Sequence, residues 1–174
     1  MLSSDDIILD ILNTAKYDGN KLLQYFHISY PDKKLAQENN CIFVACVSTE
    51  NQLEGFDFEQ FRDLVEILVV TKQENNKDAI EIIKAVSYEI CRLIMEHADQ
   101  FPNKPIIRNI NPFFDNNLTV TRGQIMVNVN TEPVDYELSS DYIEDVCSIL
   151  IKNIIEEWKK EWEGVILDKQ NTYY

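Results

Sequence analysis

Glycine is scarce in this chain, 4 of 174 residues, too few for the glycine-rich loops whose backbone amides cradle phosphates. Basic residues are also short: 16 Lys and Arg stand against 30 Asp and Glu, a formal net charge of −14 at pH 7. A polyanion repels nucleic-acid phosphates, so a duplex-coating role is not expected of the molecule as a whole. Long apolar runs are missing. Those present, such as Ile67–Val70, fall far short of the roughly 20 residues that cross a bilayer, and the opening Met1-Leu-Ser-Ser-Asp-Asp is acidic, so no membrane span or secretory signal is expected. The four cysteines, at 41, 46, 91 and 147, form no C-x-x-C pair and have no companion histidine cluster, which argues against zinc. Cys41 and Cys46 are an odd number of positions apart in an apolar segment that reads as a strand, so they face opposite sides and cannot pair there. All four are expected to be free, buried thiols in a reducing compartment.

Catalytic signatures are equally absent. The two histidines, His27 and His97, lie on separate segments without a carboxylate or histidine at ligand spacing, and G-x-S-x-G does not occur. Each cysteine sits inside an apolar periodic stretch rather than at an exposed turn. Paired acids such as Asp57 with Glu59, or Glu156 with Glu157, arise by chance in so acidic a chain, and Glu156 with Lys160 at i, i+4 reads as a solvated helix face. No catalytic, cofactor-binding or metal-binding residue is therefore assigned, and the chain is not expected to be an enzyme.

What the sequence does contain is a core. Hydrophobic residues make up 45% and charged residues 26%, and a chain of this length buries about 68–70% of its unfolded surface. A single domain over 1–170 is expected, with 171–174 as a flexible carboxyl-terminal tail.

Ser3 and Ser4 precede Asp5 and Asp6, and Ile7, Ile8, Ile11, Leu12 and Ala15 follow at three-to-four spacing, predicting a capped amphipathic helix broken at Gly19 and Asn20. Leu22, Leu23 and Phe26 add a further turn. Ser29–Asn40 is polar, contains Pro31 and reads as loop. Cys41–Val47 reads as a strand buried on both faces, and Leu64–Val70 as a second, joined by a long connection over 48–61. Asn75 and Asn76 offer caps for a helix whose stripe runs Ala79, Ile82, Ile83, Val86, Ile90, Leu93 and Ile94, ending near His97–Gln100 before Pro102. Pro105–Ile110 and Thr119–Asn130 read as the third and fourth strands. In the fourth, Ile125, Val127 and Val129 share one face, Asn128 and Asn130 the wet one, and Gly123 marks a bulge. A last helix opens at Leu138 and Ser139, with Leu138 and Ile143 placed for a hydrophobic staple. Its stripe runs from Val146 to Trp158, and Gly164 is a stop.

The order α-β-β-α-β-β-α points to an α+β fold, a two-layer sandwich in which an antiparallel or mixed sheet of about four strands is packed by helices. Aromatics in segments expected near the surface are the candidates for protein contact: Phe56 and Phe58, grouped with Phe61; Phe113 and Phe114 in the loop Asn111–Asp115; and Trp162, at the margin of the last helical stripe.

The opening helix Ser4–Lys16, the strand Leu64–Thr71 leading into the helix Lys77–His97, and Gly123-Gln-Ile-Met-Val-Asn-Val129 leading into the Ser139 helix together give an order that resembles the tail terminator (tail completion or neck) proteins of tailed bacteriophages. That resemblance implies a non-enzymatic virion protein without cofactors, assembled in the host cytoplasm. It would form a homo-oligomeric ring, typically a hexamer, that caps the tail tube, ends tube growth and docks to the head connector. DNA would pass through without being specifically bound. A rival expectation comes from the charge: a small acidic α+β protein suits an antagonist or immunity-type protein that neutralises a basic partner.

Overall fold

The computed structural model describes residues 3–38, 40–53, 59–73, 76–114, 121–131 and 139–171. The chain falls into two compact units, Met1–Val134 and Asp135–Tyr174, where the sequence reads as one domain over 1–170. Of the expected tail 171–174, Asn171 ends a helix and 172–174 lie outside the described residues.

The first unit is α+β. In chain order it contains α1 (Ser4–Tyr17), β1 (His27–Ser29), α2 (Lys33–Glu38), β2 (Cys41–Leu53), β3 (Glu59–Thr71), α3 (Asn76–Glu96), β4 (Ile106–Phe114) and β5 (Thr121–Thr131), with short 3-10 turns at Leu23–Tyr25 and Ala98–Gln100. The five strands lie in the order β1-β2-β3-β5-β4. Every pairing is antiparallel except β1 with β2, which makes the sheet mixed.

Strand alternation builds the core. Ile42 and Val44 of β2, Val65, Ile67 and Val69 of β3, and Ile125, Val127 and Val129 of β5 all point to one face and are buried under α1 and α3. Ile7, Ile8, Ile11 and Leu12 of α1 and Ile83, Ile90 and Ile94 of α3 close that layer. The wet side of β5 is as expected, with Asn128 and Asn130 half-buried. Opposite-face neighbours are tied across strands, Glu66 accepting from the Gln124 amide at 2.7 Å and Asn130 from Arg62 Nε at 3.0 Å.

Several expectations are corrected. The segment 29–40 is not all loop, because Asp32 Oδ1 accepts the Lys34 N–H at 2.9 Å, starting α2. Leu35 and Ala36 then cover Cys41, Phe43 and Val70 on the second sheet face. The long connection is mostly ladder: β2 and β3 pair from Cys41↔Val70 out to Leu53↔Glu59. Polar residues there are carried by backbone pairing rather than by burial, so no apolar run announces them. Phe61, grouped with surface aromatics, is only 4% exposed. Asn111–Phe114 is not a loop but the end of β4. Gly123 makes no bulge; it pairs regularly with Val69, and the shifts fall at Cys46/Ser48 and Ile107/Asn109. The glycine is required because a Cβ there would sit 2.3 Å from Ile83 Cγ2. Gly19, at φ 90°, ends α1 in the left-handed conformation that glycine tolerates.

The second unit is built on α4 (Ser140–Asn171), 32 residues and thus about 48 Å long. Ser139 caps it, Oγ accepting the Tyr142 N–H at 3.2 Å, while the staple residue Leu138 lies outside the described residues. Gly164 does not stop the helix, which runs through it. Among the described residues no helix is long and apolar enough to cross a membrane.

Candidate interaction surfaces

The amino end of α1 is pinned to the sheet by carboxylates. Asp5 Oδ2 accepts the Cys46 N–H at 3.0 Å, next to the β2 register shift, and Asp63 on β3 accepts from Ser4 Oγ at 2.7 Å and Thr49 Oγ1 at 2.8 Å. Ser3 stands at the cap position but makes no side-chain bond to the helix backbone; its hydroxyl faces the carboxylates of Asp5 and Asp6. Ser3 and then Tyr30, whose hydroxyl donates to Asp6, hold the Asp6 carboxyl below its ordinary range. The same bond pushes Tyr30 up to about 12. These contacts favour the ionised carboxylate and the neutral phenol, which fixes the helix rather than preparing a proton transfer.

Two concavities flank the carboxyl end of α1. One of about 490 Å³ is lined by Asp18, Asn20, Lys21 and Glu89, and a second of about 330 Å³ lies along Asp10, Thr14, Arg92, Glu96 and His97. Arg92, Glu89 and Glu96 in them are already paired with one another. Arg92 donates to Glu89 at 2.6 Å and to Glu96 at 2.5 Å, and Asn20 adds an amide bond to Glu89 at 2.9 Å. Arg92 above all, with Asn20, holds the Glu89 carboxyl below the usual range, the opposite of a general acid at neutral pH. His97 faces the Leu93 carbonyl through Nδ1 at 2.9 Å, and His27 lies exposed on β1.

The four cysteines form no disulfide, with Cys41 and Cys91 buried, Cys46 half-buried and Cys147 exposed, so the expectation of burial fails for Cys147. Burial pushes Cys91 up to about 11 and raises Cys41 and Cys46 as well, which leaves these three protonated and poorly nucleophilic. Among the described residues no three His, Cys, Asp or Glu converge on a metal-sized site.

Among the described residues, α4 carries a long run of exposed apolar side chains. Ile143, Val146, Leu150, Ile151, Ile154, Ile155, Trp158, Trp162 and Val165 recur at three-to-four spacing and are all exposed. Trp158 is 61% and Trp162 69% accessible. Scattered exposed apolar residues are ordinary; a continuous stripe of this length is a candidate for an interaction surface.

Of the aromatic candidates, Trp162 thus belongs to this stripe. Phe113 and Phe114 are consecutive at the end of β4, paired through the backbone with Arg122 and Thr121, and their side chains lie outside the described part. Phe56 and Phe58 lie outside the described residues altogether. The structure adds exposed aromatics that sequence reasoning passed over, Tyr17, Tyr25 and Tyr88. Tyr88 could have been found, since it falls on the polar side of an otherwise regular helical stripe.

No protein-family model matches the chain, and no curated protein matches it in sequence.

Proposed function

We propose that this chain is a structural, non-enzymatic virion protein of a tailed bacteriophage, a tail terminator whose copies close into a hexameric ring on the tail tube. The ring ends tube polymerisation and joins the tail to the head connector. The observation that carries the reading is the succession α1, β2–β3, α3, β4–β5, α4, in which both hairpins enter one sheet and α1 and α3 cover the same face. Exposed aromatics and the α4 stripe supply material for contacts between copies and with the tube and connector. A ring needs heterologous interfaces that close. Six copies multiply an acid excess of 14 charges, and acids lining a lumen would let DNA phosphates pass without binding.

Electron microscopy of the chain mixed with polymerising tail-tube protein tests this. The expected outcome is six-fold rings on tube ends and shorter tubes; bare ends and unchanged tube lengths would sink the reading. The charge of −14 favours one other function, neutralisation of a basic partner protein. That reading expects a one-to-one complex with a cationic protein and an association rate that falls steeply with salt.

A further inference from the structure

The two edges of the sheet are guarded unequally. At β4 the outer edge is interrupted by the register shift at Ile107/Asn109, carries an exposed Arg108 and includes Pro112, which has no N–H to offer an incoming strand. At the opposite edge β1 pairs only with Cys41–Phe43 of β2. Asp5 then takes the Cys46 N–H at the register shift. From Val47 to Leu53, a stretch without proline or lysine, β2 pairs with β3 on one side and, among the described residues, with no strand on the other. Alternate N–H and C=O groups of this stretch therefore face outward, and Val47, Thr49, Glu50 and Asn51 are exposed.

This edge is acidic on both faces. Glu50 lies on the face away from α1, across from Arg62, whose Nε donates to Asn130 instead. On the α1 side Asp63 and, at the start of the helix, Asp5 and Asp6 receive only hydroxyl and backbone N–H donors. Among the described residues none of these four carboxylates forms an ion pair. Two copies meeting antiparallel about the middle of the stretch would set Glu50 beside Glu50, which disfavours self-pairing. We propose that the outer edge of β2, Val47–Leu53, takes up an extended segment of another protein that carries lysine or arginine, adding a strand to the sheet in line with β1. Main-chain hydrogen bonds supply the affinity and the unpaired carboxylates the choice of partner. The proposal does not rest on the ring reading.

The full chain with two end-blocked peptides, one of alternating lysine and valine and one of alternating glutamate and valine, provides the test. Whichever face the lysines take, they meet carboxylates. The lysine peptide should bind in fluorescence anisotropy, more weakly as salt rises, and should slow amide hydrogen exchange over Val47–Leu53 while leaving Ile106–Phe114 unchanged. The glutamate peptide should bind at least about tenfold more weakly, and N-methylation along both edges of the lysine peptide should abolish its binding. Glu50→Lys, at an exposed position, should weaken binding roughly fivefold. No binding, equal binding of the two peptides, tolerance of N-methylation or protection at β4 or α4 in place of β2 would overturn the proposal. So would protection of Val47–Leu53 that grows with protein concentration in the chain alone, the mark of a second copy on this edge. Tube capping is scored separately, so either idea can fail while the other stands.

Discussion

Helices α3 and α4 have the same kind of sequence and opposite surroundings. Both carry isoleucines at three-to-four spacing with acids and lysines on the other side. In α3 the stripe is sealed against β3 and β5, with Ile90 wholly buried, whereas in α4 Ile154 is 46% exposed. Amphipathic periodicity therefore states that a face must be covered without stating by what. For α3 the cover is the sheet of its own unit, and its helicity is secured by packing. Most helical stability in proteins comes from packing of an amphipathic face rather than from propensity, so α4 depends on whatever covers its stripe.

That difference is open to direct attack. Ile90→Ala should be the most damaging change, costing about 2–5 kcal/mol because a sealed site collapses only partly around a cavity; chemical denaturation would measure it, with a midpoint independent of protein concentration. Ile154→Ala on α4 should cost far less, within about 1 kcal/mol, because its side chain already stands half in water. A loss at Ile154 as large as that at Ile90 would erase the contrast. Gly123→Ala comes next, at about 1–3 kcal/mol, since the β-branched Ile83 must move from a Cβ placed 2.3 Å from its methyl. Asp63→Ala should cost about 1–3 kcal/mol by leaving the buried Ser4 hydroxyl without its acceptor.

pH should act more gently, through the anchor of α1. Asp6 and Glu89 have depressed folded-state pKa values, so their contribution is complete above the ordinary carboxylate range near 4 and drains away as pH falls through it. Tyr30 has the opposite sign. Raised to about 12 in the folded state, it contributes fully below about 10 and loses that contribution between about 10 and 12. Tyr30→Phe should flatten the alkaline limb and, by removing one of the bonds that hold Asp6 down, weaken the acid one. The smallest effect belongs to Tyr88→Ala, on the solvent side of α3, which should stay within about 0.5 kcal/mol.

The same contrast explains what could be read from the amino acids alone. Helices whose stripes are sealed were legible almost to the residue: Ser4–Lys16 was expected against Ser4–Tyr17 observed, and Lys77–His97 against Asn76–Glu96. The apolar stretches of the central strands were legible for the same reason. Their polar extensions, Ser48–Leu53 and Glu59–Asp63, were not, because they are held by backbone pairing with a partner strand distant from any local signal. α2 was missed because six residues carry too little periodicity, although Asp32 followed by Leu35 and Ala36 was a usable hint. Gly123 was recognised as special for the wrong reason, since only the packing of α3 reveals that a side chain has no room. Of the contact candidates, Trp162 could be placed from helical phase alone, whereas Phe61 could not, its burial being set by the extended hairpin.

The β3–β5 seam at the middle of the sheet has a kinetic consequence. Each hairpin closes across a short connection, but the seam joins residues such as Glu66 and Gln124, 58 positions apart with α3 between them. Closing a loop of that length costs about 2 kcal/mol more chain entropy than closing a five-residue turn. The seam is therefore the last part of the sheet to zip. Until it does, two half-sheets present bare inner edges, and the crossing helix must find its place before they can meet. Substitutions that loosen α3 should accordingly slow folding as well as speed unfolding, whereas those at the tip of the β2–β3 hairpin should act mainly on the unfolding rate.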